Sequence, residues 1–220
     1  MSFEMRVVWD SLPVLLGGVW LTIIVSLAAL VVGALIGLVV CAGTMLGRGV
    51  VYRLCIAYVS LFRTLPETVL IFWLYYCIPL VLDHRPTAFH SAVMALAIPA
   101  AAYFAEIFRA GIESVPRGQV EAARAMGLAP VWVLWDVIAP QALRTMVPPI
   151  LGLATIVIKN SALVSVIGVE ELFYRATVYA NQTSHYFEVL TSAAVLFFLL
   201  ILPLSVLVQL RERRLLTRSR

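Results

Sequence analysis

Charged residues are scarce in this 220-residue chain: they make up 13% of it, whereas hydrophobic residues make up 62%. The mean hydropathy is +0.99. Soluble globular domains carry roughly 25% charged residues, so the composition excludes an ordinary soluble fold. The formal net charge of +4 does not indicate nucleic-acid binding, because the basic residues gather in the links between apolar runs and at the C-terminus.

The chain also has few residues that bind metals or form disulfides. Its cysteines and histidines are isolated from one another, without the paired spacing of a disulfide framework or a metal site. They are Cys41, Cys55, Cys77, His84, His90 and His185. Residues 1–10 lack the basic region and the cleavage site of a signal peptide. We therefore expect no metal site, no disulfide and no cleaved leader.

Long apolar runs are abundant instead. A helix needs about 20 apolar residues to cross roughly 30 Å of hydrocarbon, and these runs lack the alternation of a transmembrane β-barrel. The sequence predicts an all-α, polytopic membrane protein with five transmembrane helices in one domain, residues 1–220. The expected spans are about 17–46, 58–82, 89–112, 148–167 and 187–210.

The arginines predict the orientation of these spans. Five spans place the two chain ends on opposite sides of the membrane. Links and tail on one side carry ten arginines, at positions 48, 53, 117, 124, 144, 211, 213, 214, 218 and 220, whereas the other side carries three, at 6, 85 and 175. Because arginine accumulates on the cytoplasmic side, we expect the C-terminus in the cytoplasm and the N-terminus outside.

The longest polar interruption, residues about 113–145, lies between the third and fourth spans. Residues 119–126 are good helix formers. Gly127 suits the left-handed position that follows a helix end, and Pro130 suits the first turn of a second helix. The pattern predicts two short helices joined by a glycine turn.

The second short helix covers residues 131–138, and Pro140 is expected to end it before the fourth span. Two interpretations of the segment remain open. Small Ala122 and Ala123 could enter a cleft of a partner protein, or Trp132 and Trp135 could lay the segment on the membrane surface.

This segment resembles the EAA loop of ABC-transporter permeases, in which Glu-Ala-Ala is followed by Gly and later by Ile-x-Pro. Those positions hold Glu121-Ala122-Ala123, Gly127 and Ile138-Ala139-Pro140. The resemblance implies that a partner ATPase is coupled to this chain through Glu121, Ala122, Ala123, Gly127 and Pro140.

Further motifs resemble the polar amino-acid uptake permeases over nearly the whole chain. They are Gly18-x-Trp20-x-Thr22, residues 62–66 and 102–112, Val115-Pro116-Arg117-Gly118-Gln119, Pro140-Gln141-Ala142-Leu143-Arg144 and residues 159–163. The main departure is Asn160, where that family often has aspartate. It leaves the solute open between a polar amino acid and a related solute such as an opine or cystine.

The resemblance implies a type I importer permease with the MetI-like fold, in a bacterial inner membrane. Its partners would be an ATPase dimer at the cytoplasmic face, a second permease subunit that is identical or paralogous, an extracytoplasmic solute-binding protein and an amino-acid substrate. The chain has no Gly-x-x-x-x-Gly-Lys-Ser/Thr phosphate loop. ATP and Mg²⁺ would therefore bind to the partner ATPase, and this chain would bind no cofactor.

Polar groups within spans are energetically unfavourable, so each is a candidate for the solute pathway. The candidates are Arg63, Glu106, Lys159, Asn160, Ser161 and Glu170. The alternative is that these groups only pair with one another, for example Glu106 with Lys159, or Arg63 with an acidic neighbour.

Two other classes of function are open to a polytopic chain. An intramembrane enzyme would need a nucleophile, a carboxylate dyad or a His-Glu-x-x-His pair at span depth, and no such spacing is present. We therefore expect no catalytic residues. A purely structural subunit would not account for the long polar segment between spans three and four.

Overall fold

The computed structural model describes residues 4–82 and 86–218, and every regular element in these ranges is a helix. The expected link Asp83–Arg85 lies outside the described residues. The helices are α1 (Met5–Leu46), α2 (Val50–Thr64), α3 (Glu67–Phe72), α4 (Ile78–Leu82), α5 (Ala88–Glu113), α6 (Arg117–Ala125), α7 (Pro130–Trp132), α8 (Ala139–Asn160), α9 (Leu172–Thr183) and α10 (Tyr186–Arg218). π-helical turns at Trp73–Cys77 and Val133–Ile138 and a 3₁₀ segment at Ser161–Ile167 join some of them.

Four continuous helices in the described ranges are long and apolar enough to cross a membrane, and α2 with the helix after it forms a fifth, bent crossing. The predicted all-α fold with five spans is therefore confirmed. α1 is much longer than expected: its 42 residues correspond to about 63 Å at 1.5 Å per residue, roughly twice the hydrocarbon thickness.

The second span, expected over about residues 58–82 with a break at Pro66, is broken there and begins earlier, at Val50. The chain turns by 107° between Val50–Thr64 and Glu67–Val81. Pro66 causes the interruption, because proline lacks the N–H of an interior helical residue and restricts the residue before it. Leu65 accordingly adopts an extended backbone, with ψ of 135°.

Pro140 does not end a helix, so this expectation was wrong. The chain is helical without a break from Pro130 to Ile167, and the fourth span is continuous with the second short helix. Pro140 lies in the first turn of α8, directly after the π-helical turn Val133–Ile138. Proline has no N–H to donate, and the π-helical turn directly before Pro140 accommodates it within the continuous helix.

A helix that we did not predict, α9, follows the fourth span where only a link was expected. Leu172, Ala176 and Ala180 recur at every fourth residue and are fully buried. They pack beside Leu15 of α1. This spacing gives a helix with one apolar stripe, and the stripe fixes α9 on the N-terminal part of α1.

The core forms where α1 and α5 lie closely side by side. A Cβ on Gly37 would lie 2.5 Å from Cβ of Phe104 and 2.8 Å from the carbonyl oxygen of Ala101. A Cβ on Gly33 would lie 3.1 Å from Cβ of Ala100. The Gly33-x-x-x-Gly37 pattern therefore serves packing within this subunit. Such small-residue pairs also occur where two separate subunits pack together.

Replacing Gly37 by valine is expected to destabilise the subunit by about 1–3 kcal/mol or more, because two helix backbones must separate. Thermal unfolding of the purified protein in detergent measures the effect. Gly152→Val in α8 is the matched control, since no atom lies within 4 Å of a Cβ there. Equal losses in both variants would contradict the close packing of α1 on α5.

Candidate functional site

The polar segment begins with α6, which ends in a glycine turn. Gly127 has φ of +82°. Its N–H donates to the carbonyl of Arg124 at 2.9 Å, and the N–H of Leu128 donates to the carbonyl of Ala123 at 3.2 Å. These two bonds form the Schellman arrangement that closes a helix. The predicted helix, left-handed Gly127 and restart at Pro130 agree with the structure.

The two alanines of α6 face in different directions. Glu121 and Ala122 are exposed, whereas Ala123 is only 2% exposed. Val120 is partly buried as well, and residues three apart share a helix face. The expectation that both alanines form an accessible surface was therefore wrong for Ala123, which contributes to holding α6 on the rest of the subunit.

The inner side of α6 is braced against the start of α8. Val115, just before α6, is buried with Ala142 and Met146 of α8. The Gln141 side-chain amide donates a hydrogen bond to the Gln119 side chain. Apolar and polar contacts together thus connect α6 to the fourth span.

In the second part of the segment, residues 131–136 are exposed except at one position. Val133 is 2% exposed, whereas Trp132 and Trp135 are 60% and 65% exposed. Pro140 is exposed as well. These surfaces are free within the subunit, so they fit either a docked protein or the membrane interface.

A chain of ion pairs connects the end of α2 to the end of α5. Arg63 Nη1 lies 3.3 Å from Glu106 Oε2, and Arg109 Nη2 lies 3.4 Å from Glu106 Oε1. Arg109 also pairs with Glu113 at 3.0 Å. The guanidinium of Arg63 lies over the ring of Tyr103, 5.3 Å from its centroid. The expected pairing of Arg63 with an acidic neighbour is confirmed.

On the other side of the break, Glu67 contacts α8. The Asn160 amide nitrogen donates to Glu67 Oε2 at 2.7 Å. An aspartate at position 160 would place a second carboxylate there, and neighbouring carboxylates cannot both ionise easily. An amide is therefore the better partner for Glu67. Ser161 is fully buried and donates to the Ile158 carbonyl at 2.8 Å, so its hydroxyl is not accessible to a solute.

Lys159 lies apart from both pairs, and the expected Glu106–Lys159 pair was wrong. Glu106 uses both its oxygens on arginines. Lys159 lines a separate apolar cavity of about 270 Å³ with Phe173 of α9 and Phe197 of α10. Asn160 and Lys159 face different neighbours because successive helical residues are rotated by about 100°.

Outside the spans, two adjacent glutamates behave differently. Glu170 is exposed and pairs with Arg175 at 3.4 Å. Glu171 is fully buried and caps α9, accepting hydrogen bonds from the Phe173 and Tyr174 N–H groups at 2.9 and 2.7 Å. The Thr22 hydroxyl of α1 donates to Glu171 at 3.4 Å.

The environment of Glu171 changes its acidity. Burial raises the pKa of its carboxyl from 4.5 to about 7, although the three hydrogen bonds lower it. The α1 backbone approaches closely here, since a Cβ on Gly18 would lie 2.7 Å from the Cα of Leu172. Thr22 and Gly18 thus hold α1 against the capped end of α9.

The sequence drew attention to Glu67 beside Pro66 and to Glu171 beside Glu170 as charged positions. The predicted site residues nevertheless included neither of them, nor Tyr103 or Thr22. Glu171 carried a readable signal, because an acidic residue directly before an apolar stripe is a typical helix cap. No comparable signal predicted the partners of Glu67 and Tyr103, because these contacts depend on which helices pack together. Within residues 4–82 and 86–218, no group of three or more His, Cys, Asp or Glu residues is placed to hold a metal ion.

Comparisons with known proteins agree with this architecture. The chain is 31% identical to the probable amino-acid permease YxeN of Bacillus subtilis over 93% of this chain and 92% of that protein. It is also 31% identical to the glutamine transport system permease GlnP of Escherichia coli over 97% of this chain and 98% of that protein.

A solved amino acid ABC transporter with histidines has a chain that is 31% identical, with a TM-score of 0.86 over 97% of this chain and 100% of that one. The MetNI methionine ABC transporter, at 23% identity and a TM-score of 0.76 over 96% of this chain and 98% of that one, shares the fold. The family described as "Binding-protein-dependent transport system inner membrane component" matches residues 29–217. This chain belongs to that family of membrane-embedded transport permeases.

Proposed function

We propose that this chain is the membrane-spanning permease subunit of an ATP-binding-cassette importer for a polar amino acid or a close relative of one. The observation that carries the proposal is the similarity to amino-acid permeases over nearly the full length of both chains. The chain is a transport subunit and not an enzyme. ATP hydrolysis takes place in a partner ATPase dimer, which binds the nucleotide and its Mg²⁺.

The importer needs three kinds of partner for this chain. A second permease subunit, identical or paralogous, completes the solute pathway. An extracytoplasmic solute-binding protein delivers the amino acid, and the ATPase dimer docks on the cytoplasmic face. Solute then crosses as the permease pair alternates between two conformations that ATP binding and hydrolysis select.

The exposed side of α6 is the surface for the ATPase. Glu121 and Ala122 contact the partner directly, while Ala123 and Gly127 fix the position of the helix from its inner side and its end. The exposed side of Pro140 belongs to the same cytoplasmic face. Support comes from the rigid Schellman end of α6 and its bracing on α8, because a displaced rigid helix transmits motion to the spans.

The solute pathway runs past the break in the second span. Arg63, Glu106 and Asn160 contribute to its lining, and Glu67 joins them. Lys159 and Glu170 mark two further polar positions, at the α8–α10 cavity and outside the fourth span. Ser161 supports the backbone there through its bond to Ile158. Charged groups at membrane depth support a transport role.

Reconstitution tests the proposed function. The complex purified through a tag on this chain is expected to contain an ATPase, and proteoliposomes with the cognate binding protein should accumulate at least one radiolabelled polar amino acid when ATP is inside. Uptake by this chain alone, or an enzymatic activity of the isolated chain, would argue against the proposal.

Single cysteines in a cysteine-free background test the orientation with C-terminus in the cytoplasm. A cysteine replacing Gln182 of α9 should react with a membrane-impermeant maleimide in intact spheroplasts, whereas one replacing Arg117 of α6 should react only after lysis. Both positions are exposed in the subunit, so the side of the membrane on which each lies decides whether the reagent reaches it. The reverse pattern would place α6 on the wrong side for an ATPase.

A further inference from the structure

A cavity of about 460 Å³ opens between α2 and α5 beside the break in the second span. Its polar lining consists of Ser60, Arg63, Thr64, Tyr103 and Glu106. Small-molecule pockets typically have volumes of about 300–1,000 Å³ and a few polar groups that fix the ligand. The cavity therefore has the size and the lining of a site for a small polar solute.

The Arg63 guanidinium at this cavity is only partly used by the protein. Its one hydrogen bond to another described residue is the 3.3 Å contact from Nη1 to Glu106, and the side chain is 43% exposed. A guanidinium has five N–H donors in a planar fork that matches a carboxylate. Because Tyr103 stacks under the fork at 5.3 Å, the free donors have a fixed direction for a carboxylate to meet.

Glu106 can exchange one of its two arginine partners and keep the other. Oε2 contacts Arg63 and Oε1 contacts Arg109 at 3.4 Å, and both contacts are longer than a strong charge-assisted hydrogen bond of about 2.7–2.9 Å. If Arg63 turns to an incoming anion, Oε2 becomes free to accept from an ammonium group. Oε1 keeps its contact with Arg109.

The charge balance of the cluster selects the kind of solute. Arg63, Glu106, Arg109 and Glu113 carry two positive and two negative charges. A solute head group with one charge of each sign keeps this balance, whereas a lone cation or anion adds a net charge to this partly exposed cluster.

We propose that this cavity binds the zwitterionic head group of an α-amino acid, with its carboxylate on Arg63 and its ammonium on Glu106, and that the Arg63–Glu106 pair opens to admit it. This inference rests on the proposed function and adds the group that is recognised. Since every α-amino acid has this head group, the site accepts the class, and the choice among side chains is made elsewhere.

Direct binding to the permease–ATPase complex in nanodiscs, without binding protein, tests the proposal. The probes are radiolabelled L-glutamine, L-glutamate and L-arginine. The competitors are 4-aminobutyrate and agmatine, which lack the α-carboxylate, and glutarate, which lacks the ammonium. At least one amino acid should bind saturably, and none of the three competitors should displace it. Displacement by any of the three competitors as strong as by the amino acid, or no saturable binding at all, would overturn the inference.

Variants separate recognition from a structural role. Arg63→Ala and Glu106→Gln should each weaken binding by on the order of tenfold or more, the value of one hydrogen bond to a charged group. Arg63→Lys keeps the charge and the pairing with Glu106 but loses the fork, so it should fold normally and still bind weakly. Arg6→Ala, in the exposed pair with Asp10, should leave binding unchanged.

The charge-swapped double variant, Arg63→Glu with Glu106→Arg, gives the sharpest control. It restores the ion pair with reversed polarity, next to an unchanged Arg109. If it binds and transports with wild-type affinity, the pair serves only to hold α2 on α5, and the inference is wrong. Wild-type uptake with no effect of Arg63→Ala or Glu106→Gln also refutes this inference alone, whereas no ATP-driven uptake of any amino acid by the wild type refutes the proposed function itself.

Discussion

Replacing Gly127 by valine is expected to abolish ATP-driven uptake and solute-stimulated ATP hydrolysis while the subunit still reaches the membrane. The backbone of Gly127 has φ of +82°, a region that costs an L-residue about 1–2 kcal/mol and a β-branched residue more. Valine therefore breaks the two hydrogen bonds that close α6 at Arg124 and Ala123. The helix then loses its fixed end, and its exposed side no longer moves as one body with α8.

Gly118→Val is the matched control for this prediction. Gly118 lies near the start of α6, a Cβ there has no atom within 4 Å, and its φ is not in the left-handed region. Uptake should stay within a few-fold of wild type in this variant, and Gly127→Ala should give an intermediate loss. Full activity of Gly127→Val in proteoliposomes would show that the turn after α6 is not needed for coupling.

Replacing Glu171 by glutamine is expected to remove a pH dependence from the stability of the protein. The folded pKa of about 7 lies above the value of 4.5 for a free glutamate, so the folded state holds the proton more tightly than the unfolded state does. Stability from this group is complete below pH 4.5 and is lost as the pH rises to about 7. A shift of this size corresponds to about 3 kcal/mol.

Glu171→Gln should therefore match wild type near pH 4.5 and exceed it by up to about 3 kcal/mol above pH 7. Unfolding followed by tryptophan fluorescence at a series of pH values measures the difference between the two proteins. Thr22→Val is the control: it removes a hydrogen bond that lowers the pKa, so it should keep the pH dependence and shift it slightly upward. Parallel curves for wild type and Glu171→Gln would exclude a titrating Glu171.

The sequence was sufficient for those parts of the fold that depend on local pattern and length. Apolar runs predicted the spans, because crossing hydrocarbon requires a minimum helix length. Gly127 predicted a left-handed turn, because only glycine adopts that backbone without strain. Pro66 signalled an interruption, but the angle of 107° depends on how α3 packs, which no local pattern encodes.

Tertiary contacts decided the rest of the site. Asn160 was a candidate by its polarity, yet its role depends on meeting Glu67 from a helix 93 positions away in the chain. Ser161 had the same polarity, but the 3₁₀ turn buries it. The prediction that Pro140 ends a helix was wrong because the π-helical turn before it accommodates a residue type that usually ends helices.

That π-helical turn, Val133–Ile138, has a geometric consequence. A π turn holds one residue more than an α turn, and one residue corresponds to about 100° of rotation. The single extra residue therefore sets how the start of this continuous helix, at Trp132, is rotated relative to its far end, at Asn160. Deleting one residue from this turn would rotate one end of the helix relative to the other by about 100°. Asn160 would then no longer face Glu67, although no side chain of the proposed site would have been removed.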